Sequence, residues 1–478
     1  MQEIWPLEKS KTWLNLRGTL NNSRMKTHLL LILLVPAVFT SCTNEKNNST
    51  HKTQSVASDA QSSEDKEITY RQDISYQMRE IDDKSGLRER RNLPIQELSA
   101  LDSLDVKQLQ IALYNAKEGD TIFLESGVYH LANELIISEV NGITLQGKGM
   151  GKTIINFADQ QAGGQGINVN KANNITLCDF SVYDAQGDGI KTKGCNDMIM
   201  RNLEVLWTKG PHPTNGGYGL YPVESQGILV EQCMVAGASD AGIYVGQSLD
   251  VVVKNCYVYH NVAGIEIENC TRSLVYDNVA EDNTGGILVF NLPDLPVNPD
   301  GQFCQVYDNI VAHNNHLNFA PEGNMVAIVA PGSGIVLLAS KSCEVFNNEI
   351  RDNKTMGVAV ASYFVHNPNQ KSTDQFSPYS SNISIRNNEY SCDPSFYADN
   401  STPFGLLVLT SGHGGKGFDL LYDGVFSEDG LFCVQEDSSD FSFMMLNNGD
   451  FDSPLIRDAG PLGNCQKMSF PKVYQVNR

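Results

Sequence analysis

Between Gly166 and Gly405 the chain repeats one phrase, a Gly followed by residues that alternate between the two faces of a strand. The copies are Gly166-Ile-Asn-Val, Gly189-Ile-Lys-Thr, Gly219-Leu-Tyr-Pro-Val, Gly242-Ile-Tyr-Val, Gly264-Ile-Glu-Ile, Gly286-Ile-Leu-Val, Gly334-Ile-Val-Leu, Gly357-Val-Ala-Val and Gly405-Leu-Leu-Val. Where nothing is inserted the spacing is 22 or 23 residues, as from 166 to 189, 242 to 264 and 264 to 286. A fixed period of short alternating runs predicts a solenoid. One unit is too short to bury a core alone, so the units must stack. The predicted fold class is all-β, a parallel β-helix of 22–23-residue rungs.

A second run follows each Gly phrase about ten residues later and ends in a column: Phe180, Leu203, Cys233, Cys256, Asn278, Asn309, Asn348, Asn388. Equivalent residues of successive rungs stand about 4.8 Å apart. Four consecutive Asn can therefore pass amide hydrogen bonds up the column, as in other stacked strands. Cys233 and Cys256 fit the same column as small apolar groups. Longer spacings mark insertions at Thr208–Gly217 and at about 291–304, 316–332 and 364–381, where a solenoid meets its ligand or partner.

Asp105 to Gly119 carries apolar residues at helical spacing and predicts a helix capping the first rung. The β-helix is assigned to 101–417 and a C-terminal capping region to 418–478. Met25-Lys-Thr-His, the apolar run Leu29–Phe39 and Thr40-Ser41-Cys42 read as a lipoprotein-type export signal, with 1–24 an upstream extension. The apolar run is too short to span a membrane. Cys42 is the expected lipidation site. Residues 43–100 are read as a tether and lead-in, and their Ser/Thr/Asn/Lys-rich part as flexible. The expected location is the cell envelope, with membrane contact through the lipid alone.

The net charge of −21 becomes about −24 once the five Lys/Arg and two Asp/Glu of residues 1–42 are removed. This argues against nucleic acid and anionic membrane surfaces as partners. Export allows disulfides. Cys178, Cys233 and Cys256 fall in or beside strand columns and are expected as buried thiols. Cys392, Cys433 and Cys465, in the irregular end, are the disulfide candidates.

The stretch from Gly187-Asp-Gly-Ile-Lys-Thr-Lys-Gly-Cys through Asn215-Gly-Gly-Tyr-Gly-Leu-Tyr-Pro-Val, Gly237-Ala-Ser-Asp-Ala-Gly-Ile-Tyr-Val-Gly-Gln-Ser and Asn261-Val-Ala-Gly-Ile-Glu-Ile-Glu-Asn to Asn283-Thr-Gly-Gly-Ile-Leu-Val-Phe-Asn-Leu-Pro-Asp-Leu-Pro resembles exported right-handed parallel β-helix repeat proteins. The resemblance covers most of 105–410 and implies a right-handed coil and export. No activity is established for that family. Gly119-Asp-Thr-Ile-Phe-Leu-Glu-Ser-Gly-Val-Tyr is more distantly similar to the opening of β-helix polysaccharide lyases and epimerases, where it is structural.

With the Ile after each Gly turned inward, the outward positions run from Lys191 and Lys193 through Tyr221 and Tyr244 to Glu266 and Glu268, then to Leu288, Phe290, Val336 and Leu338. The outward apolar residues need a cover, and the 291–304 and 316–332 loops are expected to supply it. The polar part, overhung by the loop bearing His212, Asn215 and Tyr218, reads as a saccharide groove. Tyr218, Tyr221, Tyr244, Asp240 and Asn215 would bind the ligand. Glu266 and Glu268, with Cα atoms about 6.6 Å apart, suit acid/base work on a glycosidic bond or a bound Ca²⁺. Lys191, Lys193 or His212 would be a base or a carboxylate neutraliser. The competing reading is a row of solvated strand residues, and a further one is a non-catalytic scaffold docking another exported protein.

A second column, His260, Asp282, His313 and Asp352, is followed each time by Asn. It reads either as a metal set built on His260, Asp282 and His313 or as a turn position with a polar neighbour. Ser411-Gly-His413-Gly-Gly reads as a loop. Polysaccharide binding, with modification by a lyase, epimerase or hydrolase reaction, is the expected function.

Overall fold

In the computed structural model the described residues are 83–458, except 94, 96, 97, 102, 426, 428, 429, 437–440 and 448, together with 465, 468–474 and 476. The export segment, Cys42 and the first part of the lead-in lie outside them. The described chain winds into two sheets. A front sheet of 12 strands runs through Asp188–Lys193, Tyr218–Val223, Ala241–Gly246, Ala263–Glu268, Gly285–Phe290, Ser333–Leu338 and Met356–Ala361. A back sheet of 19 strands supplies two limbs to a typical rung, such as Gln226–Glu231 and Met234–Ala236. The pairings are parallel until the closing hairpin of Ser442–Asn447 with Asp450–Asp458.

The register explains the Gly phrase. Ile190, Leu220, Ile243, Ile265, Ile287, Ile335, Val358 and Leu420 stack inward and are fully buried. Each such side chain contributes about 1.5–3 kcal/mol through burial. The Gly before each is there because the next rung comes too close: a Cβ on Gly264 would stand 2.6 Å from the carbonyl oxygen of Gly286, and one on Gly189 2.6 Å from that of Gly219. The corners have their own rule. Residues such as Gln232, Asn255, Asp277, Asp308, His260, Asp282, His313 and Asp352 hold φ near +50° to +57°, a left-handed conformation that short polar side chains tolerate best. The residue after each corner turns inward.

Two Asn ladders follow from that rule. Asn278 Nδ2 donates to Asn309 Oδ1 (3.0 Å), Asn309 to Asn348 (2.9 Å) and Asn348 to Asn388 (2.9 Å), and Asn388 donates to Glu436 Oε1 (2.9 Å). The second ladder runs Asn261, Asn283, Asn314, Asn353 at 3.0, 3.0 and 3.1 Å. Cys233 and Cys256 fill the lower part of the first column as buried thiols.

Two expectations are corrected. Gly405-Leu-Leu-Val is no rung strand but part of the helix Pro403–Thr410, where Thr402 caps the N-terminus by accepting from the Gly405 N–H (3.1 Å) and Pro403 opens the first turn. The coil also continues past 417: Phe418–Tyr422 pairs with Met356–Ala361, and Ser442–Asn447 follows it.

Both ends are fastened. The helix Ser103–Tyr114 buries Leu109 and Leu113 against the first rungs. Ahead of it, residues 83–93 cross the back sheet with three arginines seated on acids. Arg88 grips Glu281 with two bonds (2.7 and 2.8 Å), Arg90 grips Glu204 (2.9 and 3.1 Å), and Arg91 reaches Asp282 (2.6 Å), Tyr257 (3.2 Å) and His260 (3.0 Å). At the other end Cys433 and Cys465 form a disulfide, Cys392 is a free exposed thiol, and Val473 and Val476 pack on Ile199, Leu229 and Val252.

Candidate functional site

The outer face of the front sheet carries two columns. Lys191 pairs with Tyr221, Tyr244 with Glu266, and Glu266 with Leu288. Beside them Lys193 pairs with Val223, Gly246 with Glu268, and Glu268 with Phe290. The order along the face, bases to tyrosines to carboxylates to apolar residues, is the expected one.

The cover is larger than expected. Residues 291–301, 313–332 and 362–380 bring Leu292, Phe319, Met325, Val326, Val329, Tyr363 and Phe376 against Leu288, Phe290, Leu338 and Tyr244. Their shelter extends over the acids. Tyr244, Glu266 and Glu268 are 5, 2 and 8% exposed, so they do not line an open groove. The part left half-exposed is the strip Asp188, Lys191, Tyr218 and Tyr221.

The tyrosines form one cluster. Tyr218 lies 4.5 Å from both Tyr221 and Tyr244 between ring centroids, and Tyr221 meets Tyr244 edge-on at 5.0 Å. Lys191 Nζ stands 4.4 Å above the Tyr221 ring. Tyr244 crosses over Gly246 and donates to Glu268 Oε1 (2.7 Å); any side chain at Gly246 would meet its phenol ring. Asp240, 8% exposed, accepts from Asn324 Nδ2 (3.3 Å) of the covering loop. Asp188 accepts from the Tyr218 N–H (3.2 Å). Gly217 lies between these two aspartates: a Cβ there would be 3.6 Å from Asp188 Oδ1 and 3.7 Å from the Asp240 Cβ.

This surrounding sets the charges. Burial and then the neighbouring Glu268 push the Asp240 carboxyl up to about 7, against hydrogen bonds from Tyr218 and Asn324. Burial, Asp240 and Glu268 push Glu266 up. Burial pushes Glu268 up, and the bond from Tyr244 opposes it. Asp188 is raised by burial while Lys191 and the Tyr218 N–H pull it back. Burial and Asp188 raise the Tyr221 phenol to about 12.

The remaining candidates lie apart from this cluster. Lys193 is exposed and pairs with Glu224 at 2.9 Å. His212 is exposed, with its ring bonded to Thr214 of its own loop (2.7 Å). Asn215 holds the overhanging loop by donating to the carbonyls of Gly210 and Gly237. Among the described residues no group of three or more His, Cys, Asp or Glu is placed to hold a metal ion. That corrects the metal reading of His260, Asp282 and His313. The column is a left-handed corner, and the guanidinium of Arg91 occupies the cation position beside His260 and Asp282. Burial and the charge of Arg91 push His260 down to about 3. A cavity of about 180 Å³ at Asp277, Asp308 and Glu349 is likewise served from within, by Lys84 Nζ at 2.6 Å from Asp277.

The sequence reading missed Asp188. Its signal is an acid directly before the Gly of a rung phrase, as in Gly187-Asp188-Gly189, with Asp240 shortly before the Gly242 phrase two rungs on.

Residues 213–388 match the family model described as a right handed beta helix region. The fold of the described chain is a right-handed parallel β-helix. Residues 103–288 of the β-helix also match the model for rhamnogalacturonase A/epimerase, pectate lyase-like. No curated protein matches the chain. Similar solved structures include the A-module of mannuronan C-5 epimerase AlgE4 from Azotobacter vinelandii, 15% identical with a TM-score of 0.44, covering 73% of this chain and 93% of that one. The exopolygalacturonase of Thermotoga maritima is 10% identical with a TM-score of 0.42, covering 77% of this chain and 97% of that one.

Proposed function

We propose that this β-helix binds a polysaccharide along the half-exposed strip of its front sheet and acts on it by acid–base chemistry. The observation that carries the reading is the pairing of environments around Gly217. Asp188 stands half-exposed with Lys191 nearby, and Asp240 stands buried beside Glu268. Two carboxyls whose surroundings differ in this way divide naturally into a base and an acid. Tyr221 and Tyr218 offer ring surface for a sugar, and Lys191 offers a cation for a uronate carboxylate or a hydroxyl. The segment 103–288, matched by the pectate lyase-like model, contains every residue of this set. The same reading makes the protein an exported one, held at the cell envelope by a lipid on Cys42.

The test is to incubate the chain from residue 43 onward with neutral and uronic acid polysaccharides, following reducing ends and the ultraviolet absorbance of unsaturated products. New reducing ends or new absorbance that Asp240→Asn removes support the reading. Binding without either signal removes the chemistry, and no binding to any glycan removes the reading as a whole.

A further inference from the structure

Asp240, Glu266 and Glu268 form a buried acidic cluster that makes no ion pair among the described residues, and the charged groups acting on them are one another and Asp188. Glu266 Oε2 is buried with no hydrogen-bond partner among the described residues. Three carboxyls cannot all ionise in such a place, because each buried charge needs a compensating partner. The cluster therefore holds protons, and the geometry decides which carboxyl can use one. Glu266 and Glu268 lie under the covering loops, with Glu268 tied to Tyr244. Asp240 is the member that borders Gly217 and Tyr218, at the edge of the half-exposed strip.

We infer that Glu266 and Glu268 touch no substrate and are positioning residues for Asp240, which their like charge keeps as the site's proton donor. This rests on the polysaccharide reading. In a hydrolytic turnover the glycosidic C–O bond breaks with its electron pair moving to the oxygen, and that oxygen takes the Asp240 proton. Water bonds to the sugar carbon and loses a proton to the Asp188 carboxylate. Exchange with solvent then returns a proton to Asp240 and removes one from Asp188. The groups facing Asp240 are Glu268, Glu266, Asp188, Tyr218 and Asn324, so each belongs in any account of its titration.

The experiment is a ¹³C titration of Asp-labelled protein, with the Asp240 carboxyl assigned as the signal lost in Asp240→Asn. The expected midpoint is about 7 in the parent protein, falling by about one pH unit or more in Glu268→Gln, a tenfold or greater change in proton affinity. Tyr244→Phe provides a second route. Losing its bond makes Glu268 easier to protonate, so the Asp240 midpoint again falls. Wherever turnover is measurable, the acidic limb of its pH profile shifts in parallel, which a merely structural role would not produce. An Asp240 midpoint below 5, or one unmoved by both variants, overturns the inference. A midpoint near 7 without any glycan binding would keep the proton tuning and remove only the polysaccharide reading.

Discussion

The phenol of Tyr244 donates to Glu268 Oε1 at 2.7 Å by lying across Gly246, which precedes Glu268 in the same column one rung below. The bond exists because that position has no side chain. Gly246→Ala is predicted to push the ring off its carboxylate, at about 1–3 kcal/mol of stability for the overpacking. Circular dichroism would report the coil intact, and glycan binding should fall. A variant with unchanged urea midpoint and unchanged binding would show that the ring has room to spare.

Asn309 sits inside the first ladder, accepting from Asn278 and donating to Asn348 Oδ1 and to the carbonyls of Val275 and Tyr307. Asn309→Ala leaves several buried groups unpaired, so the expected cost is about 2–4 kcal/mol. Asn367, exposed in a loop, should cost less than about 0.5 kcal/mol when changed to Ala. Equal urea midpoints for the two variants would contradict the ladder as a source of stability.

The arginine strap has a pH signature. Burial pushes the Glu281 carboxyl up, but the bonds and charge of Arg88 and the charge of Arg91 outweigh it and hold it below its usual range. A carboxyl with a lowered folded-state pKa contributes stability above its unfolded pKa and loses it as the pH falls through the folded value. Arg88→Ala should therefore cost about 2–4 kcal/mol at pH 7, with Arg91 still 3.8 Å from Glu281. The cost should shrink at pH 4 and below. Urea titrations at the two pH values would check it, and a pH-independent cost would contradict it.

Asp240 has the opposite sign. Its folded-state pKa is raised to about 7, so its contribution to stability is full below the unfolded carboxyl value and is lost as the pH rises through 7. Asp240→Asn keeps the shape without the charge. Its melting temperature relative to the parent should climb between pH 5 and pH 8, by roughly 1–4 °C. A constant difference across that range would mean that Asp240 is ionised throughout.

The coil was legible because its cause repeats in sequence. Each Gly marks a rung whose neighbour allows no Cβ, and Asn278, Asn309, Asn348 and Asn388 share a column that only stacking explains. Other features shared the pattern without sharing the cause. Gly405-Leu-Leu-Val matches the phrase, yet Thr402 and Pro403 start a helix there. His260, Asp282 and His313 follow the period because a left-handed corner favours short polar residues, while the ladder belongs to the Asn after each. Strand alternation correctly turned Glu266 and Glu268 out of the coil. It could not show that Val326 and Val329, some sixty residues later, fold back over this face. Asp188 escaped notice because it opens its strand two residues before the inward Ile190, where alternation would turn it into the coil.

The central claim is that a polysaccharide lies on the strip of Asp188, Lys191, Tyr218 and Tyr221, and it is tested most directly by where a bound glycan loses its affinity. Titration of the chain from residue 43 onward with the best-binding glycan of the panel, repeated with Lys191→Ala, Tyr221→Ala and the distant His413→Ala, would locate it. The account predicts at least a tenfold loss of affinity for Lys191→Ala and Tyr221→Ala and none for His413→Ala. Equal affinities across all four proteins would place the ligand elsewhere and contradict it.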